Sequence, residues 1–197
     1  MHNTQLNDAD VEALAAALPL NRTLRELDLG NNKKITPLSG THMADAIRRG
    51  NSALTALHLY DTSVGAVGAR RLGDALLAAT QADATALEVV TLHWYALPVQ
   101  QLTGRAPVRA IDLTAQSLSA ADGALIAALI QSNQTLRSLR LADNRLTEAA
   151  QDFASRLRGG AASNLTELNL EGNKFDDKHK LALKQAVAAR KQLKLFV

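Results

Sequence analysis

The chain has 197 residues, 47% of them apolar, with a net charge of +3, enough for one domain with its own core. It has no cysteine, which excludes a disulfide scaffold and thiolate zinc sites and suits an intracellular, cytoplasmic setting, with secretion as an effector left open. Aromatic residues make up only 3%, so the core is expected to be leucine, alanine, valine and isoleucine packed in small layers.

No apolar run approaches the roughly 20 residues needed to cross a membrane, and Met1 to Gln5 lacks the charged-then-apolar pattern of a signal peptide. Asn7 to Leu18 reads as a helix, capped by Asn7 or Asp8 and carrying Val11, Leu14 and Leu18 on its apolar face. Leu24-Arg-Glu-Leu27-Asp-Leu29-Gly-Asn-Asn32 follows. Leucines here alternate with polar residues, the period of a strand with one buried face. Pro37, Ser39 and Gly40 read as a loop, and Thr41 to Arg49 as a helix that stops at Gly50. A second segment, Leu54 to Val64, puts Thr62 where the first has Asn32, and a helix over about Val67 to Ala79 comes next.

The third segment, Leu87 to Leu97, is irregular. Tyr95 takes the Asn position, and Pro98 to Pro107 leaves room only for a turn or a single helical turn. The fourth, Val108 to Leu118, has Gln116 at that position, and Ser119 to Gln131 then reads as a helix with Leu125, Ile126, Leu129 and Ile130 on one side. The fifth, Leu136-Arg-Ser-Leu139-Arg-Leu141-Ala-Asp-Asn144, and the sixth, Leu165-Thr-Glu-Leu168-Asn-Leu170-Glu-Gly-Asn173, are the most regular. A seventh strand would begin at Leu193, with the motif incomplete.

The first, fifth and sixth segments carry the L-x-x-L-x-L-x-x-N core of the motif L-x-x-L-x-L-x-x-N-x-L. The other three keep its apolar positions with another residue in place of Asn, and the first apolar residues of the six are spaced by 30, 33, 21, 28 and 29. One strand and one helix bury too little alone, so such units stack. The chain therefore resembles the leucine-rich repeat proteins, and its long repeats resemble their ribonuclease-inhibitor-like class. The resemblance implies an α/β solenoid, a horseshoe with a concave parallel sheet and convex helices. It also implies that the Asn residues form a hydrogen-bonded ladder between turns. Residues 1–197 are read as one domain. Residues 1–23 form a helical half-repeat or cap, 24–173 the strand–helix repeats, and 174–197 a basic C-terminal helix and cap.

The strand leucines are committed to the core, so their polar neighbours are free to bind. The candidates for contact with a protein partner are His58, Tyr60, Thr91, His93, Trp94, Asp112, Arg140, Glu167 and Asn169. His58 and His93 are read as neighbours in adjacent turns, about 5 Å apart. The single tryptophan and both tyrosines fall within these two repeats, a pattern shared by binding hot spots and by side chains that fill a missing helix's space. Tyr95 is expected to be the most buried of the three. A His58–His93 metal site lacks a third ligand. The sequence contains no Gly-rich phosphate loop, nucleophile elbow or His-Glu-x-x-His pattern. The reading is a non-catalytic protein-binding module with no cofactor, no metal and no small-molecule substrate. By family resemblance, regulation of a GTPase or of an actin filament end, or a structural place in a larger assembly, are the alternatives. From Lys174 to Val197 the net charge is +5; nucleic-acid or membrane contact there is set against a solvated helix face. The solenoid's open ends allow an oligomer or a longer chain.

Overall fold

The computed structural model describes residues 4–50 and 53–197. The start of the chain examined for a signal pattern, Met1 to Asn3, lies outside the described residues. The chain runs α1 (Asp8–Ala17), β1 (Glu26–Asp28), α2 (Pro37–Arg48), β2 (Ala56–His58), α3 (Gly65–Gln81), β3 (Val89–Thr91), β4 (Ala96–Pro98) and α4 (Val99–Thr103). It continues through β5 (Ala110–Asp112), α5 (Ala120–Leu129), β6 (Ser138–Arg140), α6 (Ala150–Arg158), β7 (Glu167–Asn169), α7 (Asp177–Val187) and β8 (Lys194–Phe196). Short 3-10 turns follow α1 and α5 and precede α6. This is the expected α/β solenoid, and the repeat leucines sit in register. Leu27 lies opposite Leu57 and Leu57 opposite Val90; Ile111, Leu139, Leu168 and Leu195 follow one another in the second half.

The concave sheet is not continuous. It is divided into β1-β2-β3-β4 and β5-β6-β7-β8. All neighbours are parallel except β3 and β4, which form an antiparallel hairpin with Val90 opposite Leu97. The reason lies in the turn that ends each strand. In five repeats the residue before the Asn position has a left-handed backbone: Asn31, Asp61, Ala115, Asp143 and Gly172. Asn, Asp and Gly enter that region at low cost, whereas bulky residues do not. The third repeat has Trp94 there and does not make the turn. The chain folds back along its own strand instead, and only the five-residue α4 follows.

The ladder tracks the same division. The Asn144 amide donates to the carbonyls of Leu113, Leu141 and Ala142, and its oxygen accepts from Leu118 N–H. The Asn173 amide donates to Leu141 O and Leu170 O, and its oxygen accepts from Leu146 N–H. Asn32 likewise accepts from the N–H groups of Thr4 and Leu6. Thr62 does less, because its hydroxyl reaches only Leu59 O of its own turn. Gln116 is not a ladder residue as expected: it is exposed, and its amide donates to Thr114 O beside it. Tyr95 is half-buried against the core.

On the outer face α2, α3 and α5 lie side by side. Pro37, Ser39 and Gly40 belong to α2 rather than to a loop. Proline suits the first helical turn, and the Thr36 side chain caps it. A side chain on Gly40 would collide with Gly68 Cα at 2.6 Å, so the helices touch at these two glycines. Asn7 caps α1 with a reciprocal Asp10 contact, and Asp8 then reaches α2. Its oxygens accept from Thr36 N–H at 2.8 Å, from Thr36 Oγ1 at 2.6 Å and from the Ser39 hydroxyl. With no long helix in the third repeat, α3 packs directly on α5, most of which is buried. Arg70 of α3 forms a two-bond ion pair with Asp152 of α6, at 2.5 and 2.9 Å, and Arg156 of α6 pairs with Asp74 of α3. These reciprocal pairs join the helices on either side of α5.

The C-terminal segment completes a strand. β8 pairs in parallel with β7, Leu195 opposite Leu168. The lysines of α7 stand mostly in solvent, and Leu183 and Ala186 face the core.

Candidate functional site

The concave surface carries one polar row on each half-sheet. On the first, Asp28, His58 and Thr91 are in register. The expected His58–His93 pair is therefore not formed: His58 lies opposite Thr91, and His93 sits beyond the end of β3, one alternation further along the motif. His58 Nδ1 is 3.0 Å from Thr91 Oγ1, and Nε2 is 3.4 Å from Glu26 Oε1. Thr91 is buried. The Tyr60 hydroxyl donates to Asp28 Oδ2 at 3.1 Å, while Asp28 Oδ1 accepts from Gly30 N–H. The Tyr60 ring lies where a Cβ on Gly30 would stand, so glycine there lets the ring lie flat on the strand end. Burial, and then the Asp28 carboxylate, hold the Tyr60 hydroxyl above its ordinary pKa.

On the second half-sheet Asp112, Arg140 and Asn169 are in register. Arg140 Nε donates to Glu167 Oε1 at 2.8 Å, and Arg140 lies 3.8 Å from Asp112. The Thr114 N–H donates to Asp112 Oδ1, and the Glu171 N–H to Asn169 Oδ1, each at 3.0 Å. Asp28, Asp112 and Asn169 thus repeat one device, a side-chain oxygen that accepts from the backbone two residues on and closes the strand end. The Thr114 backbone bond lowers the Asp112 pKa first, with a smaller contribution from Arg140; the hydrogen bond from Arg140 lowers that of Glu167. Carboxylates so engaged are poorly placed as proton-transfer groups.

His93 and Trp94 occupy the tip between β3 and β4. Their rings meet edge-on, with centroids 5.4 Å apart at 67°. Trp94 is 71% exposed. His93 also lines a cleft of about 310 Å³ with Asp61, Thr62, Leu92, Ser119 and Glu148. Nearby, Asp122 caps α5 through Ser119 and is fully buried, with one carboxylate oxygen unpartnered. Burial raises its pKa, partly offset by the bonds from Ser119 and by His93. The structure thus divides the nine sequence candidates. His58, Tyr60 and Thr91 lie together on the first half-sheet, Asp112, Arg140, Glu167 and Asn169 on the second, and His93 and Trp94 at the lip between. Glu26 and Asp28, which hold His58 and Tyr60, are placed on the concave face by the motif but are not among the nine candidates; the signal for their role was available in the strand register. Among the described residues, no group of three or more His, Asp or Glu side chains could hold a metal ion, and no helix is long and apolar enough to cross a membrane.

The fold, the register and the Asn ladder are those of a leucine-rich repeat solenoid, and the Leucine Rich repeat family model matches residues 20–41, 132–148 and 161–178. Those stretches contain Asn32, Asn144 and Asn173, the three ladder asparagines. Among curated proteins, the chain is similar to a Caenorhabditis elegans protein named protein phosphatase 1 regulatory subunit 37 homolog, 34% identical over 92 residues. That match covers 47% of this chain and spans only 10% of the relative's length. Among solved structures, the C-terminal domain of tropomodulin from Caenorhabditis elegans aligns over 92% of this chain and 93% of that one, at 14% identity and a TM-score of 0.37. A likeness that loose bears on neither partner nor activity. Protein–protein interaction is the function that a leucine-rich repeat domain implies, and a non-catalytic binding module is where the family match points.

Proposed function

We propose that this chain is a non-catalytic module that binds a protein partner through its concave face. The observation that supports this most directly is the pair of polar rows mounted on the strands, half-exposed on the first half-sheet and more open at Asp112 and Arg140 on the second, with Trp94 standing in solvent at the lip. His58, Tyr60, Asp112, Arg140, Glu167 and Asn169 project from backbones locked by the sheets, so a partner would meet a preformed surface. An exposed tryptophan supplies contact area at small entropic cost. The long helices after most strands favour the ribonuclease-inhibitor-like class. Affinity purification with wild type, Trp94→Ala and His58→Ala/Arg140→Ala, read by quantitative mass spectrometry, tests the proposal. A partner retained equally by all three proteins would count against this face.

The matched relative's name suggests regulation of a phosphatase, but the matched segment is about a tenth of that protein and supports the shared repeat more than a shared partner. Regulation of a GTPase or of an actin filament end rests on family resemblance alone. GTP hydrolysis and filament elongation, each measured with and without the purified chain, decide those two alternatives.

A further inference from the structure

A second surface lies on the edge of the solenoid where the strands begin. Two clefts adjoin there and share Arg137. The larger, about 430 Å³, is lined by Pro107, Val108, Arg109, Gln134, Thr135 and Arg137. The other, about 220 Å³, includes Ser163, Asn164, Arg190, Lys191 and Gln192. No carboxylate lines either cleft among the described residues, whereas Arg109, Arg137, Arg190 and Lys191 all do.

The four cations are not equivalent. Arg190 is half-buried and donates to the carbonyls of Ala161 and Ala162, at 2.9 and 2.5 Å, behind the end of α6. It has no acidic partner, and burial alone lowers its pKa. A guanidinium withdrawn from water without a counter-charge gains from an arriving anion. Arg137 spends one donor on Asn164 O and keeps the rest of its fork. Arg109 and Lys191 are exposed, and Arg109 enters the fold's hydrogen bonds through its carbonyl, which accepts from the N–H groups of Arg137 and Ser138. Arg109 and Arg137 stand one residue before β5 and β6, next to the Ala110–Ser138 pair, and the Arg137 N–H donates to Arg109 O at 2.8 Å, so their backbones are about 5 Å apart by the spacing of a sheet. Two like charges on adjoining turns that line one cleft favour a shared counter-charge.

We infer that this basic edge, from Arg109 through Arg137 to Lys191 and Arg190, is a docking site for an acidic peptide segment of a partner protein. Guanidinium forks match carboxylates in paired geometry. The amides of Gln134, Asn164 and Gln192 suit a peptide backbone, and Val108 and Pro107 give its side chains an apolar floor. Neither cleft has an aromatic side chain on which a base could stack, which disfavours single-stranded nucleic acid. This inference is independent of the concave-face proposal, because none of its residues belongs to that face.

The test is fluorescence anisotropy of the full chain with a labelled glutamate-rich peptide, a lysine-rich peptide of equal length and an oligouridylate as competitor. The glutamate peptide is expected to bind, more weakly as salt rises, and the lysine peptide not to bind. Arg109→Glu/Lys191→Glu removes no structural bond, so it should melt with the wild type while weakening the glutamate peptide at least about tenfold. Trp94→Ala should leave that binding unchanged. Absence of glutamate-peptide binding overturns the inference, as do equal affinity in the reversed variant and displacement by equimolar oligouridylate.

Discussion

The second and third repeats and the fifth and sixth carry similar apolar skeletons, yet they end their strands differently. In the later pair, Asp143 and Gly172 take the left-handed turn, and Asn144 and Asn173 stitch each turn to the one before it. In the earlier pair, Thr62 bonds only within its own turn, and Trp94 blocks the next one. The strand then doubles back as β4, and the parallel sheet stops. Leucines bury the core in both regions; the direction of the chain after each strand is decided by two residues at its end.

The sharpest way to break this contrast is Asn144→Ala. It takes the Asn144 bonds from the Leu113 carbonyl and the Leu118 N–H, and one of two donors from Leu141 O and Ala142 O, and should cost about 2 to 3 kcal/mol, read by urea unfolding. Thr62→Ala removes a single bond and should cost about 1 kcal/mol. Equal losses would contradict the ladder account.

The two halves are also joined across α5, and Arg70→Ala tests that junction. Asp152, 8% exposed, would lose its partner, at a cost of about 2 kcal/mol. If the reciprocal pairs hold the halves together, thermal unfolding of this variant should broaden or split, as it would not for a local change.

Asp8 tests the N-terminal stack by pH. Desolvation raises its pKa, but the bonds from Ser39 and Thr36 outweigh this, and the net shift is below 3.8. The folded protein therefore holds the charged form better than the unfolded chain does. That stability is present above the unfolded value and is lost as pH falls through the lowered one. Asp8→Ala should cost about 1 kcal/mol at neutral pH, with the gap from wild type narrowing in acid. A gap that widened in acid would refute this assignment.

The smallest effect on stability is expected from Trp94→Ala. A side chain mostly in water should change unfolding by no more than about 0.5 kcal/mol, while tryptophan fluorescence of the wild type should be that of a solvated indole. A large loss would mean that the β3–β4 hairpin depends on the ring.

Much of the fold was legible in the chain. The motif located the seven parallel strands, and the short stretch after Pro98 announced the missing helix. The site was less legible. Counting along the motif pairs His58 with Thr91, each four residues after the first apolar residue of its repeat, so the expected His58–His93 pair was two positions out of step. Gln116 looked like a ladder residue, but its neighbouring edge is the break, and Asn144 reaches back to Leu113 in its place. The basic edge could not be read either, since Arg190 joins Arg137 only after α7 returns the chain to the stack.

The sequence by itself determined the periodicity: leucine at alternate positions must face inward, and the Asn, Asp and Gly residues that follow can turn left-handed because their side chains are small or absent. Only the tertiary structure decided where the sheet divides, which helices meet through Gly40 and Gly68, and which charges face one another across 82 residues in the Arg70–Asp152 pair. Those outcomes depend on how one turn sits on the next, and that distance is set by packing rather than by any single segment's pattern.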